Sequence, residues 1–267
     1  MNSTKTEIIY FRKKNKTIPN FKIKLNGIKL TRSLDVKYVG VIFDEYLDFS
    51  SHIETMNAKL KRANNLIAIS RHYISRSLMI QIYYGQFHSH LTYGCQLWGQ
   101  NKNQIKKTFV LQKKAVRLIT FNDHLAHTDP IFRELDILKL ADIVTMHNII
   151  FTHNTLNKKS PALFNNYFVL KSINHRHPTT NNPDSTYSNL KGSLEMPKYT
   201  SKSGELSIKF ICCNNWNLVL RYLSVKYPNK YISNDNWLKS TNLSVLKKLL
   251  KEYFLDKYTL IIYIFCF

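Results

Sequence analysis

KNQIKKTFVLQKKAVRLITF, residues Lys102 to Phe121, sets the character of the whole chain. At 100° per residue, Ile105, Phe109, Leu111, Ala115, Val116, Leu118 and Ile119 fall on one side, and Lys102, Lys106, Lys107, Lys113, Lys114 and Arg117 fall on the other. Apolar residues at that spacing predict a helix from about Lys102 to Phe121 with one buried face. The opposite face is purely basic. Such a face lines up phosphate contacts, and ~6 of them give strong, steeply salt-dependent binding. An ordinary solvated face is the competing reading, and the charge of the whole chain weighs against it. The 267 residues carry 39 Lys and Arg against 17 Asp and Glu, a net charge of +22. A fold with that surplus repels itself and gains by meeting a polyanion, and the excess is beyond what solubility needs. Nucleic acid is the first candidate partner and an anionic membrane surface the second.

Reading outward, Ser51 with Glu54 three residues on forms a capping box. A helix from about His52 to His72 follows, with Ile53, Met56, Leu60, Ala63, Ile67 and Ser70 on its buried face. It adds Lys59, Lys61, Arg62 and Arg71, less coherently arranged. Ser75 is placed to cap a second helix reaching Tyr93, with Gly94 as its stop. Thr128-Asp129-Pro130 starts a helix to Leu135, and Lys139 to Leu156 form another. Further helices are expected over Leu206–Val225 and Leu243–Tyr258. Before all of these the chain reads as strands: Thr6–Phe11, Phe21–Leu25, Ile28–Thr31 and Val36–Phe43, with a hairpin turn at Asn26-Gly27. Gly40 marks a place where backbones or a ligand approach closely. The expected class is α+β. A small N-terminal antiparallel β element (1–47) precedes a mainly helical region (48–170), a polar loop (171–204), a helical segment (205–258) and an apolar tail (259–267).

Other chemistry is sparse. The cysteines Cys95, Cys212, Cys213 and Cys266 include no Cys-x-x-Cys pair, so reduced thiols in an intracellular compartment are expected, nucleus or cytoplasm, not secretion. The paired histidines His88/His90, His124/His127 and His175/His177 lack supporting acids or cysteines, and metal binding is not expected. Tyr73, Tyr83, Tyr84, Phe87, Tyr93 and Trp98 offer faces that could stack on bases, but most are expected in a helical core. Trp98 and Trp216 read as packing anchors. Asp44-Glu45 is the sole adjacent acid pair, and turn chemistry suits it better than a metal. No catalytic residues are assigned. The tail TLIIYIFCF, Thr259 to Phe267, is too short to span a bilayer.

The order of motifs resembles the C-terminal part of non-LTR retrotransposon (LINE-type, jockey-like) reverse transcriptases, downstream of the catalytic dyad. Asn2 to Thr6 (NSTKT) resembles the family's Asn-x-x-Lys-Thr segment. Phe21 to Leu30 resembles its Asn-Gly hairpin. Tyr38-Val39-Gly40-Val41 resembles its Tyr-Leu-Gly-Val strand, a primer-grip-like element. Leu47 to Ile53 is similar to its Leu-x-Trp-x-x-His-Ile helix start, with Phe49 in place of Trp. Leu91 to Gly99 (LTYGCQLWG), Leu111 to Arg117 (LQKKAVR), Asp129 to Leu135 with Ile137, Leu138 and Leu140, Asn215-Trp216-Asn217, and Leu246 to Tyr258 continue the match.

The resemblance implies the end of a polymerase palm over 1–47 and a thumb-like helical region after it, parts that hold primer and template. It implies RNA, DNA or an RNA–DNA duplex as partner; the basic helix faces give Lys102, Lys106, Lys107, Lys113, Lys114, Arg117, Lys59 and Arg62 as the expected contacts. It implies no small-molecule substrate, with an intact copy of the element's polymerase as a further partner. Intact family members use Mg2+. This chain lacks the paired carboxylates that would hold it, so it is expected to be a fragment, inactive alone. Lys5 matches the palm lysine that can donate a proton to pyrophosphate, although from its position alone it is an exposed residue at a chain end. The alternative reading is a basic nucleic-acid-binding or peripheral membrane protein with no polymerase role.

Overall fold

The helix expected from the opening stretch runs from Lys106 to Thr120 in the computed structural model, with Lys102 in a turn ahead of it. The structure describes residues 6–16, 22–25, 27–171, 190, 192–200, 204, 206–229 and 237–264, with backbone alone for 259–264. Lys5, Asn26, most of the polar loop and the end of the apolar tail lie outside the described residues. The chain divides into two compact units, 1–126 and 127–267.

In the first unit three short ladders precede the helices, consistent with α+β. β1 (Glu7–Ile8) pairs with β4 (Thr31–Arg32) in parallel, which the expected all-antiparallel element did not include. β2 (Lys24–Leu25) and β3 (Ile28–Lys29) form the hairpin closed at positions 26 and 27, where Gly27 has φ +80°. β5 (Asp35–Tyr38) and β6 (Val41–Asp44) form a second hairpin over residues expected to be one strand. β4 and the segment after β1 are held onto the loop after β6 by charge. Buried Glu45 takes Arg12 through two bonds of 3.0 Å and Arg32 through one of 2.5 Å. The Arg12 hydrogen bonds hold the Glu45 carboxyl below its usual range.

Helix α1 spans Ser50–Ser70 and buries Ile53, Met56, Leu60, Ala63 and Ile67, as its spacing predicts. Its start differs from the expected capping box. Phe49 precedes the helix at φ 59° with no side-chain cap bond, and Asp48 Oδ1 instead accepts from Ser50 N at 3.0 Å. Asp44 Oδ1 accepts from Tyr46 N and Asp48 N, which turns the chain tightly into the helix and puts Ser51 past the cap position.

Ser75 caps α2 (Arg76–Ile82), as expected, by accepting from Leu78 N. A π-helical turn, Tyr83–His88, then interrupts the run before α3 (Ser89–Thr92). Gly94, at φ +60°, ends it and leads into α4 (Cys95–Trp98). The helix Lys106–Thr120 is α5. It closes with Phe121 at φ 58°, while Asn122 N reaches back to Arg117 O at 3.1 Å.

The α1–α5 seam is the core of this unit. Leu60, Ile67, Ala115, Val116 and Ile119 are fully or nearly fully buried. Each large aliphatic side chain so placed contributes about 1.5–3 kcal/mol. Three polar links cross the core: Thr108 to Asn57 Oδ1 at 2.8 Å, Asn64 Nδ2 to Leu111 O at 3.0 Å, and Gln112 Nε2 to the Tyr83 hydroxyl at 2.9 Å. The buried stripe of α5 is therefore Ile105, Thr108, Gln112, Ala115, Val116 and Ile119. Phe109, Leu111 and Leu118, expected inside, are only half-buried, because the polar links rotate the helix toward Thr108 and Gln112.

The second unit contains α6 (Thr128–Glu134), α7 (Leu140–Leu156), a 3-10 turn (Ala162–Phe164), α8 (Ile208–Lys226), α9 (Trp237–Ser240) and α10 (Leu243–Ile264). Helix α10 continues past Tyr258 into the apolar tail. Tyr258 ties it down, accepting from Lys139 N at 2.9 Å and donating to Asp142 at 2.6 Å, while Lys251 pairs with Asp136. The downstream end of the expected polar loop is packed. Leu194 bridges Leu170, Asn217 makes two bonds to the Leu194 backbone, and Trp216 Nε1 donates to Gly192 O. Among the described residues no helix is long and apolar enough to cross a membrane.

Replacing Gln112 by Leu strands the Tyr83 hydroxyl inside the core. We expect a loss of about 1–3 kcal/mol in denaturant unfolding, with part of it recovered in the Gln112→Leu/Tyr83→Phe double variant. A neutral single substitution would contradict the role given to this bond.

Candidate nucleic-acid interface

The basic face of α5 points away from its buried stripe. Lys106, Lys107 and Lys114 are exposed on the helix, as is Lys102 in the turn before it. The other two cations of the face are partly engaged. Lys113 is half-buried with its ammonium 4.8 Å from the Phe109 ring centre. Arg117 donates twice to Ala126 O, at 2.9 and 2.7 Å, and so fixes the loop after the helix. On α1, Lys59 and Arg62 are exposed. Burial first, and then the Lys59 charge, lower the pKa of both His52 and His90.

The four residues Tyr38, Val39, Gly40 and Val41 do not form a strand. They are the tip of the β5–β6 hairpin, with Tyr38 paired to Val41 and the turn at Val39-Gly40, φ 45° and 81°. A β-branched residue at positive φ is strained. Tyr93 supports it: its hydroxyl donates to Val39 O at 2.5 Å, and its ring lies 3.2 Å from where a Cβ on Gly40 would be. The tip projects into solvent, with Tyr38 69% and Val39 70% exposed, while Val41 is buried. Behind it Trp98 donates to Tyr93 O at 2.9 Å and its ring lies tilted against His52, 6.1 Å between centres; His52 Nδ1 accepts from Ile42 N. Motifs separated by tens of residues thus meet at one place. Sequence reading assigned Tyr93 no role in supporting the tip; Gly40 was the available signal, since close approach needs a partner.

Tyr83, Phe87 and Trp98 are core residues, only half of the six aromatics where most were expected inside, and Trp216 is buried as an anchor. Tyr73, Tyr84 and Tyr93 are exposed. Cys95, Cys212 and Cys213 are free and buried, and burial pushes Cys95 and Cys212 up to about 12 and Cys213 to about 11. They are protonated, unreactive thiols at neutral pH. Asp44 and Glu45 serve the turn and the arginine pair described above. Among the described residues no three or more His, Cys, Asp or Glu side chains converge to hold a metal ion, and these residues do not fit a magnesium pair. His175, His177 and Lys5 lie outside the described residues.

The chain's curated homologues are RNA-directed DNA polymerases of mobile elements. It is 27% identical over 186 residues to a probable RNA-directed DNA polymerase from transposon X-element of Drosophila melanogaster, covering 67% of this chain and 20% of that protein. It is 30% identical over 147 residues to the RNA-directed DNA polymerase from mobile element jockey of the same species, covering 53% of this chain and 16% of that protein. The jockey protein of Drosophila funebris is 29% identical over 125 residues, 45% of this chain and 14% of that protein. The chain therefore spans about a fifth or less of the length of the relatives it matches. No family model matches it, and no solved structure does.

Two measurements check this geometry. Gly40→Ala adds a tight 3.2 Å contact with the Tyr93 ring to the backbone strain, whereas Gly27→Ala, with open space around it, meets strain alone. We expect Gly40→Ala to cost more than the ~1 kcal/mol of the strain itself and to speed amide exchange at the tip; equal costs would contradict the Tyr93 contact. The second is acid titration. The lowered His52 pKa means that its stabilising contribution is complete above the usual imidazole value, ~6.5, and is lost as pH falls through the lowered value. We expect the unfolding midpoint to fall over that window and to fall less in His52→Gln.

Proposed function

We propose that this chain is the primer- and template-holding C-terminal portion of a non-LTR retrotransposon RNA-directed DNA polymerase. On this reading 1–47 end the palm, and 48–170 serve as a thumb-like and connecting region. Its partner is an RNA–DNA duplex or its component strands. The single observation that carries the reading is the acid-free basic face of α5, turned to solvent by a core that buries Thr108 and Gln112. Similarity to polymerases of jockey and X-element supports the choice of nucleic acid over other polyanions.

The contacts are Lys102, Lys106, Lys107, Lys113, Lys114 and Arg117, joined from α1 by Lys59 and Arg62. Each lysine or arginine that meets a phosphate releases condensed counterions, so affinity is set largely by salt. The hairpin tip of Tyr38, Val39 and Gly40 is the primer-grip-like element: a rigid, uncharged projection that presents backbone and aromatic surface to a strand held by the cations. No bond-making step is assigned to this chain alone. Intact members of the family hold magnesium on paired carboxylates, and an intact copy of the element's polymerase is a further proposed partner. Lys5 takes part in that chemistry only in such company.

The experiment is fluorescence anisotropy with a labelled RNA–DNA duplex over a salt series. We expect log K to fall linearly with log salt with a slope of about −0.9 per phosphate contact. Charge reversal at Lys106, Lys107 and Lys114 should weaken binding and flatten the slope. Absence of binding at low salt, or binding indifferent to salt, would overturn the proposal.

A further inference from the structure

The contacts between α1 and α5 fix how the two helices lie, and therefore which lysines share a surface. Asn57 meets Thr108, Asn64 meets the Leu111 carbonyl, and Arg71 lies 4.2 Å from the Phe121 ring centre. Residue numbers rise together on both helices, so the helices run parallel, with position 57 level with 108 and 71 level with 121. Lys61 is then level with the stretch between Lys107 and Lys114.

The phase follows from the same contacts. On α1, Asn57 and Asn64 face α5, and Lys61 is about 40–60° further round, on the solvent side of that seam. On α5, Thr108 and Leu111 face α1, and Gln112 faces the core through Tyr83. Lys107 and Lys114 lie on the opposite, solvent side, leaning toward α1. Parallel helices turn in the same sense, so these two solvent sides are one surface.

We infer that Lys61, Lys107 and Lys114 form one phosphate-binding track along the outer groove between α1 and α5. The track deepens the proposed nucleic-acid reading and rests on it. Lys107 and Lys114 are two turns apart, about 10.5 Å along the axis, and Lys61 stands between their levels on the facing wall. All three are exposed, and no hydrogen bond, ion pair or ring contact to another described residue engages them. Glu54, exposed two turns before Lys61, bounds the groove at its α1 start. The other cations lie elsewhere. Lys59 is about 160° round α1 from Lys61, Arg62 is a further 100° round from Lys61, and Arg117 is bound to Ala126 O. A track of this kind grips the phosphates of one strand at a time, whatever the bases.

The test uses the full chain and two labelled probes, an RNA–DNA duplex and a single-stranded RNA of the same length. Lys61→Gln, Lys107→Gln and Lys114→Gln are each titrated over salt, with exposed Lys159→Gln from the second unit as the comparator and circular dichroism to confirm folding. Each track variant should reduce the salt slope by ~0.9 on duplex or ~0.7 on single strand. The triple variant should lose roughly 40-fold of the affinity change between about 50 and 200 mM salt on duplex. Lys61→Gln behaving like Lys159→Gln, while Lys107→Gln and Lys114→Gln still reduce the slope, overturns the track and leaves nucleic-acid binding intact. No binding by the unaltered chain overturns both.

Discussion

The seam between α1 and α5 governs the first unit. Apolar burial supplies most of its free energy, but it sets the rotation of one helix on the other only coarsely. The hydrogen bonds from Thr108 to Asn57, from Asn64 to the Leu111 carbonyl and from Gln112 to Tyr83 remove that freedom. A buried polar group without its partner costs more than the bond contributes when made, so one rotational setting is strongly preferred. That setting turns Lys106, Lys107 and Lys114 outward. The charge pattern of the surface is a consequence of polar chemistry in the core.

The hairpin tip depends on a second, smaller constraint. Val39 is held at a φ that valine avoids, and Tyr93 holds it there by a hydroxyl bond and a ring packed where Gly40 has no Cβ. Trp98 and His52 brace Tyr93 in turn. The tip is thus rigid although its outermost side chains are solvated. In the second unit Tyr258, Lys139 and Asp142 play the comparable part, joining the last helix to the start of α7.

Much of this was legible in the residues, and the failures have physical causes. The period of α1 and the basic side of α5 followed from spacing, because charge and apolarity sort cleanly by face. The inner side of α5 was misjudged at Phe109, Leu111 and Leu118, since a polar Thr108 and Gln112 look like surface until their partners are known. Val36 to Phe43 read as one strand because a Val-Gly turn violates the usual turn chemistry; only the long-range Tyr93 contact makes it tenable. The capping box at Ser51 was displaced by Asp44 and Asp48, which satisfy the turn one step earlier. The π-helical turn at Tyr83–His88, which begins at the residue that Gln112 bonds, left no signal in hydrophobic period.

Lysine footprinting of the intact chain addresses the central claim most directly. The protein would be acetylated at low salt with and without a saturating RNA–DNA duplex, and modification read at each lysine by mass spectrometry. Protection concentrated on Lys107, Lys114 and their neighbours on the outer face of α5, with Lys158 and Lys159 of the second unit still modified, is the predicted result. Uniform modification of α5 in the presence of bound duplex would contradict it.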